Sequence, residues 1–82
     1  MNPITFKVLE KEQEINTMNE LKRRLREDLA KVPEPYAAEL QAIIDMVESY
    51  REPVWGISPE RHYVESYIAQ LRTRLSQVQN TE

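Results

Sequence analysis

Apolar residues recur at steps of three and four along three stretches of this chain. Ile15, Met18, Leu21, Leu25, Leu29 and Val32 form the first set. Tyr36, Leu40, Ile43, Ile44, Val47 and Tyr50 form the second, and Val64, Tyr67, Ile68, Leu71, Leu75 and Val78 the third. Side chains at that spacing fall on one side of a helix, so each stretch predicts an amphipathic helix with a single apolar face. Ahead of them, Ile4, Phe6 and Val8 alternate with Thr5 and Lys7. A period of two suits a short strand or an extended arm, and a lone strand has no partner within an otherwise helical chain. The expected fold is all-α: a three-helix bundle, or a helical hairpin plus a third helix, with a short extended N-terminal arm. It is a single domain over residues 1–82, with the arm at 1–9 and helices at about 10–32, 35–51 and 58–78.

The breaks between stripes agree with this reading. Pro33-Glu34-Pro35 stops the first helix, because each proline biases the residue before it away from helical geometry. Pro35 then suits the first turn of the next helix. Pro53 closes the second helix. Ser58, Pro59 and Glu60 open the third as N-cap, first helical residue and first-turn acid. The start of the first helix has two readings. Thr17 and Glu20 fit a capping box, which starts it at Thr17. Glu10 to Glu14 are good helix formers, which favours a longer helix from near Leu9. Residues from Gln77 to Glu82 are expected to fray. Val64, Leu71 and Val78 are spaced as one heptad position, but Arg74 holds the other seam position, so a sustained coiled coil is not expected.

Composition narrows the function classes. The chain has 82 residues, no cysteine, one glycine and a net charge of −3. Without cysteine there is neither a disulfide framework nor a thiolate metal site. A single glycine gives no material for a phosphate-cradling loop. Nothing reads as a signal peptide or a bilayer span, so the expected localisation is cytoplasmic, with no membrane partner. A chain this short buries a small core, and self-association or docking on a partner is expected to bury more.

The charge is unevenly spread. Residues 10–32 hold six acids and six bases, whereas residues 33–52 hold Glu34, Glu39, Asp45, Glu48 and Glu52 against Arg51 alone. Gln41, Asp45, Glu48 and Glu52 follow helical spacing opposite the second apolar stripe. Lys22, Arg23, Arg24 and Arg26 form the basic cluster. Folding the first two helices back across Pro33–Pro35 brings that cluster beside Asp45 and Glu48. Glu20 with Arg24, and Arg23 with Glu27, stand at ion-pair spacing on one helix. The same cluster is the place where nucleic-acid phosphates would be gripped, although Glu27 and Asp28 follow it and the net acidity opposes such binding.

Catalytic chemistry is not legible. His62 and Glu65 stand three apart, as in a helical carboxylate–histidine site, but no further ligands stand at fixed spacing. Ser49, Ser58, Ser66 and Ser76 are scattered, with no base and orienting carboxylate around any of them. No catalytic, cofactor-binding or metal residue is assigned, and the expectation is a protein that is not an enzyme. Trp55, with Val54 and Ile57, either plugs the end of the helical core or serves as an exposed anchor, Trp and Tyr being frequent among binding hot spots.

Two short resemblances bear on this. Pro53-Val54-Trp55 followed by Pro59-Glu60-Arg61 is similar to a loop and helix start in the helical chorismate mutases. In those enzymes a long uninterrupted first helix carries cationic site residues; here Pro33 and Pro35 interrupt it. Leu21 to Glu52 resembles the helical hairpin of some short bacterial antitoxins, in which an amphipathic helix ends in a Leu-Pro-Glu-like turn and a second apolar helix follows. Val32 stands where leucine is usual, and Asp45-Met46-Val47 lacks the usual aromatic. That resemblance implies a toxin as partner.

The functional expectation is therefore a small non-catalytic regulator that binds another protein, a basic one by charge, as adaptor, inhibitor or accessory subunit. Asp45, Glu48, Glu52 and Trp55 are the expected contacts. The rival readings are an antitoxin-like protein and a nucleic-acid-binding regulator using Lys22, Arg23, Arg24 and Arg26.

Overall fold

A computed structural model of the chain describes residues 5–51 and 60–80. Four α-helices follow one another: α1 (Lys7–Glu10), α2 (Met18–Leu29), α3 (Tyr36–Glu48) and α4 (Glu60–Asn80). A short 3-10 turn, Glu12–Glu14, lies between α1 and α2. Among the described residues there is no strand, and the architecture is the expected all-α bundle. Helices α2 and α3 make an antiparallel hairpin across the Pro33–Pro35 turn, whose Glu34–Pro35 peptide bond is cis. Helix α4 begins beside the start of α2, where Glu60 meets Met18, and reaches the start of α3, where Arg74 meets Glu39. It therefore runs antiparallel to α3.

The apolar stripes meet in one core. Ile15, Met18, Leu21, Leu25, Leu40, Ile43, Ile44, Val47, Val64, Ile68, Leu71 and Leu75 are buried together. Leu29, Val32, Tyr36, Tyr50 and Tyr67 are half-buried at its edges. Phe6 and Val8 add to the core from the N-terminal side. Phe6 lies tilted against Tyr36, ring centroids 5.7 Å apart, and Tyr50 lies against Tyr63 at 5.0 Å. The second contact joins the end of α3 to the start of α4.

Five boundaries differ from the sequence reading. The long first helix from near Leu9 does not form. Helix α2 starts at Met18, where the Thr17 hydroxyl oxygen accepts from the Glu20 N–H at 3.1 Å. This hydroxyl bond satisfies a helix-end donor and marks the entry. The expected extended arm over residues 1–9 is extended at Phe6 but then winds into α1. Phe6 and Val8 are both buried, as a strand alternation would place them, yet the backbone between them is helical. Helix α2 stops at Leu29, short of Val32. Pro33 has no N–H to offer the Leu29 carbonyl; the Val32 N–H makes the last helical bond, to the Asp28 backbone carbonyl, which the Lys31 N–H shares from three residues on. Helix α3 stops at Glu48, where the Ser49 and Tyr50 N–H groups close the last turn onto Asp45 and Val47. The expected fraying from Gln77 is not seen up to Asn80. No glycine or proline interrupts that stretch, and Val78 is half-buried. The Ser58–Pro59 cap lies outside the described residues.

Candidate interaction surfaces

Two features carry the expected interaction chemistry, the outer face of α3 and the outer face of α2. They adjoin across the hairpin. Asp45 and Glu48 are exposed on α3, one turn apart, with Gln41 one turn before them. The Gln41 amide Nε2 donates to Asp45 Oδ1 at 2.9 Å. Glu48 Oε1 accepts from the Arg26 guanidinium Nη2, an ion pair that ties α3 to α2. This is the expected pairing of the basic cluster with the acidic stripe. Glu52 and Trp55 lie outside the described residues.

The basic cluster divides. Arg23 pairs with Glu27 on its own helix at 3.2 Å, and Arg26 pairs with Glu48. Lys22 and Arg24 have no hydrogen-bond or ion-pair partner among the described residues; the expected Glu20–Arg24 pair is not formed. Two residues apart means about 200° around a helix, so Lys22 and Arg24 stand on different sides of α2. Arg24 is half-buried, with its Nε enclosed and unpartnered. Four cations adjacent in sequence thus do not make one basic patch, although Lys22, Arg23 and Arg26 do share a groove. That groove, of about 410 Å³, runs along the outer side of α2 and is lined by Asn19, Lys22, Arg23, Arg26 and Glu27.

A second groove, of about 390 Å³, lies between α3 and α4. Asp45, Met46, Ser49, Tyr50 and Tyr67 line it. Met46 and Tyr67 are half-buried, with Asp45 exposed at the rim. Farther along the same seam, Arg74 reaches across from α4 to Glu39 at 3.1 Å. The part played by Met46 was not read from the sequence, where it stands one turn after Ile43 at the margin of the stripe.

His62 is exposed in the first turn of α4, edge-on to Tyr63. Among the described residues no three His, Asp or Glu side chains gather as a metal cage requires. None of the described helices is long and apolar enough to cross a membrane.

Three polar contacts absent from the sequence reading fix these surfaces in place. Asp28, buried at 2% exposure, accepts from the Lys7 and Val8 N–H groups at 2.9 and 2.8 Å. Glu60 accepts from the Met18 N–H at 2.7 Å. The Arg61 guanidinium donates to the backbone carbonyls of Glu12, at 2.5 Å, and of Ile15. Helix ends leave such backbone groups unpaired, and here distant side chains satisfy them. No local spacing signals these bonds, since each partner lies twenty or more residues away.

No family model, curated protein or solved structure matches this chain.

Proposed function

We propose that the chain is a non-catalytic regulator of another protein, an adaptor, inhibitor or accessory subunit that docks through α3 and its seam with α4. The α3–α4 groove is the observation that carries this reading. It offers methionine and tyrosine surface with a carboxylate at its rim. Tyrosine is enriched among binding hot spots, and methionine adapts to varied apolar partners. The partner segment that fits is amphipathic and basic, its apolar side against Met46 and Tyr67 and its cations near Asp45 and Glu48. Residues 33–52 hold five of the chain's acids against one base, so charge favours a basic protein. Such complementarity speeds encounter and selects the partner, while the apolar groove supplies holding energy.

Affinity capture on the tagged full chain, from its native host and with a nuclease-treated control, tests the reading. One protein that survives nuclease, and is lost from a Tyr67→Ala variant, supports it. Capture abolished by nuclease would shift the function to the α2 cations and a phosphate backbone. Capture unchanged in Tyr67→Ala and in Asp45→Lys/Glu48→Lys would refute docking at this face.

A further inference from the structure

We infer that the outer face of the α2–α3 hairpin is a dimerisation surface whose partner is a second copy of this chain. The face has two parallel strips of opposite charge. On α2 stand Asn19, Lys22, Arg23 and Arg26; on α3 stand Gln41, Asp45 and Glu48. Within the face, Arg23 is neutralised by Glu27 and Arg26 by Glu48. Among the residues named on this face, that leaves one cation and one anion without a charged partner in the described part of the chain. The cation is Lys22, on the basic strip; the anion is Asp45, on the acidic strip.

A two-fold axis lying in the contact plane, parallel to the helices, makes such a face complementary to itself. The rotation lays α2 of one copy on α3 of the other and leaves heights along the bundle unchanged. Isologous contacts of this kind are the commonest in homo-oligomers. Through α4, which sets Met18 beside Glu60 and Tyr50 beside Tyr63, Lys22 comes level with about Ser49. Asp45 lies four residues before it, about 6 Å of helix rise, at the extended reach of a lysine side chain. Each copy's Lys22 then meets the other's Asp45, and the contact occurs twice. The 410 Å³ groove along α2 gives the approaching helix a concave seat.

The exposed pairs already on the face oppose this little. Arg23–Glu27 and Arg26–Glu48 are each about half exposed, and exposed pairs contribute only about 0–1 kcal/mol, so their partners exchange readily. Two helices of α2's length present a face of roughly 18 by 20 Å. Over the two copies that is about 700 Å², below the roughly 1,200 Å² where stable interfaces begin, so the dimer is a weak one, and its charge makes it salt-sensitive. The dimer stands independently of the partner protein proposed above, although Asp45 serves both contacts and the two would compete for it.

Sedimentation velocity on the full chain, from about 1 µM to about 1 mM, tests the dimer. Concentration-dependent dimerisation at about 50 mM salt, weakened tenfold or more at about 500 mM, is the expected result. Lys22→Glu and Asp45→Lys should each raise the dissociation constant about tenfold or more, because like charges then face each other at both symmetric positions. The double variant recreates the opposite pairing and should return to within about threefold of the parent. Circular dichroism verifies folding; should a reversal unfold the chain, Lys22→Gln and Asp45→Asn replace it, with about threefold weakening expected from each. A chain that stays monomeric at low salt overturns the proposal. So does a dimer indifferent to both single changes, or a double variant that dimerises no better than the singles.

Discussion

Asp28 caps from outside the helix in which Val8 stands, twenty residues earlier in the chain. Its two carboxylate oxygens take the N–H groups of Lys7 and Val8, so α1 is closed from outside by the last turn of α2. A carboxylate near the C-terminal end of its own helix is poorly placed. Here it serves the other helix, and the bond survives because water is excluded from it. Asp28→Ala should cost about 2–4 kcal/mol, since two enclosed donors lose their acceptor. Asp28→Asn should cost less, because its amide oxygen serves one donor while its NH2 faces the other. A shifted urea midpoint at constant slope is the check; a shift under about 0.5 kcal/mol would remove Asp28 from this role.

Glu60 links the first residues of two helices. Its acceptance from the Met18 N–H replaces an intrahelical bond that the first residue of α2 cannot have. Glu60→Ala should destabilise by about 1 kcal/mol, in the range of lost helix caps. Hydrogen exchange gives the sharper reading. The Met18 amide should lose protection in Glu60→Ala, while the Leu25 amide changes only with global stability.

Arg61 holds the segment after α1 through two backbone carbonyls at once. A guanidinium presents several donors in a fixed fork, whereas an ammonium is a single point charge. Arg61→Lys should therefore lose most of what Arg61→Ala loses, about 1–2 kcal/mol. A lysine variant as stable as the parent in a denaturant titration would mean that charge alone matters here.

The ion pairs on the outer face of α2 should matter little to folding. Arg23→Ala should change stability by less than about 0.5 kcal/mol, since the Arg23–Glu27 pair is about half exposed. A double-mutant cycle on Arg74 and Glu39, which are more enclosed, should show stronger coupling than one on Arg23 and Glu27. Equal couplings would contradict this ranking by burial.

Much of the architecture was present in the spacing of residues. Every stripe residue from Leu40 to Val47 that the pattern marked is buried, because helical periodicity is a local property that neighbouring residues share. Thr17 likewise offered the start of α2 by its own chemistry, beside a longer alternative, and Pro33 marked the break that follows α2 but not its last residue. The charge division between α2 and α3 was also legible, and with it that the basic cluster runs beside Glu48; that Arg26 is its partner was not.

Tertiary structure decided the rest, for a common reason: the deciding partners are far apart in sequence. Phe6 and Val8 alternate as in a strand, but the intervening backbone coils because Asp28 is present to cap it. The Lys22–Arg26 run reads as one basic patch, yet helix geometry divides it, sending Lys22 and Arg24 to different sides and pairing Arg26 across the hairpin. Met46 and Tyr67 become one groove only when α3 and α4 pack together. Amphipathic period and proline placement therefore determined the three longer helices and their apolar faces, but not α1. Which polar groups close the helix ends, and which side chains share a surface, depended on how the helices came together.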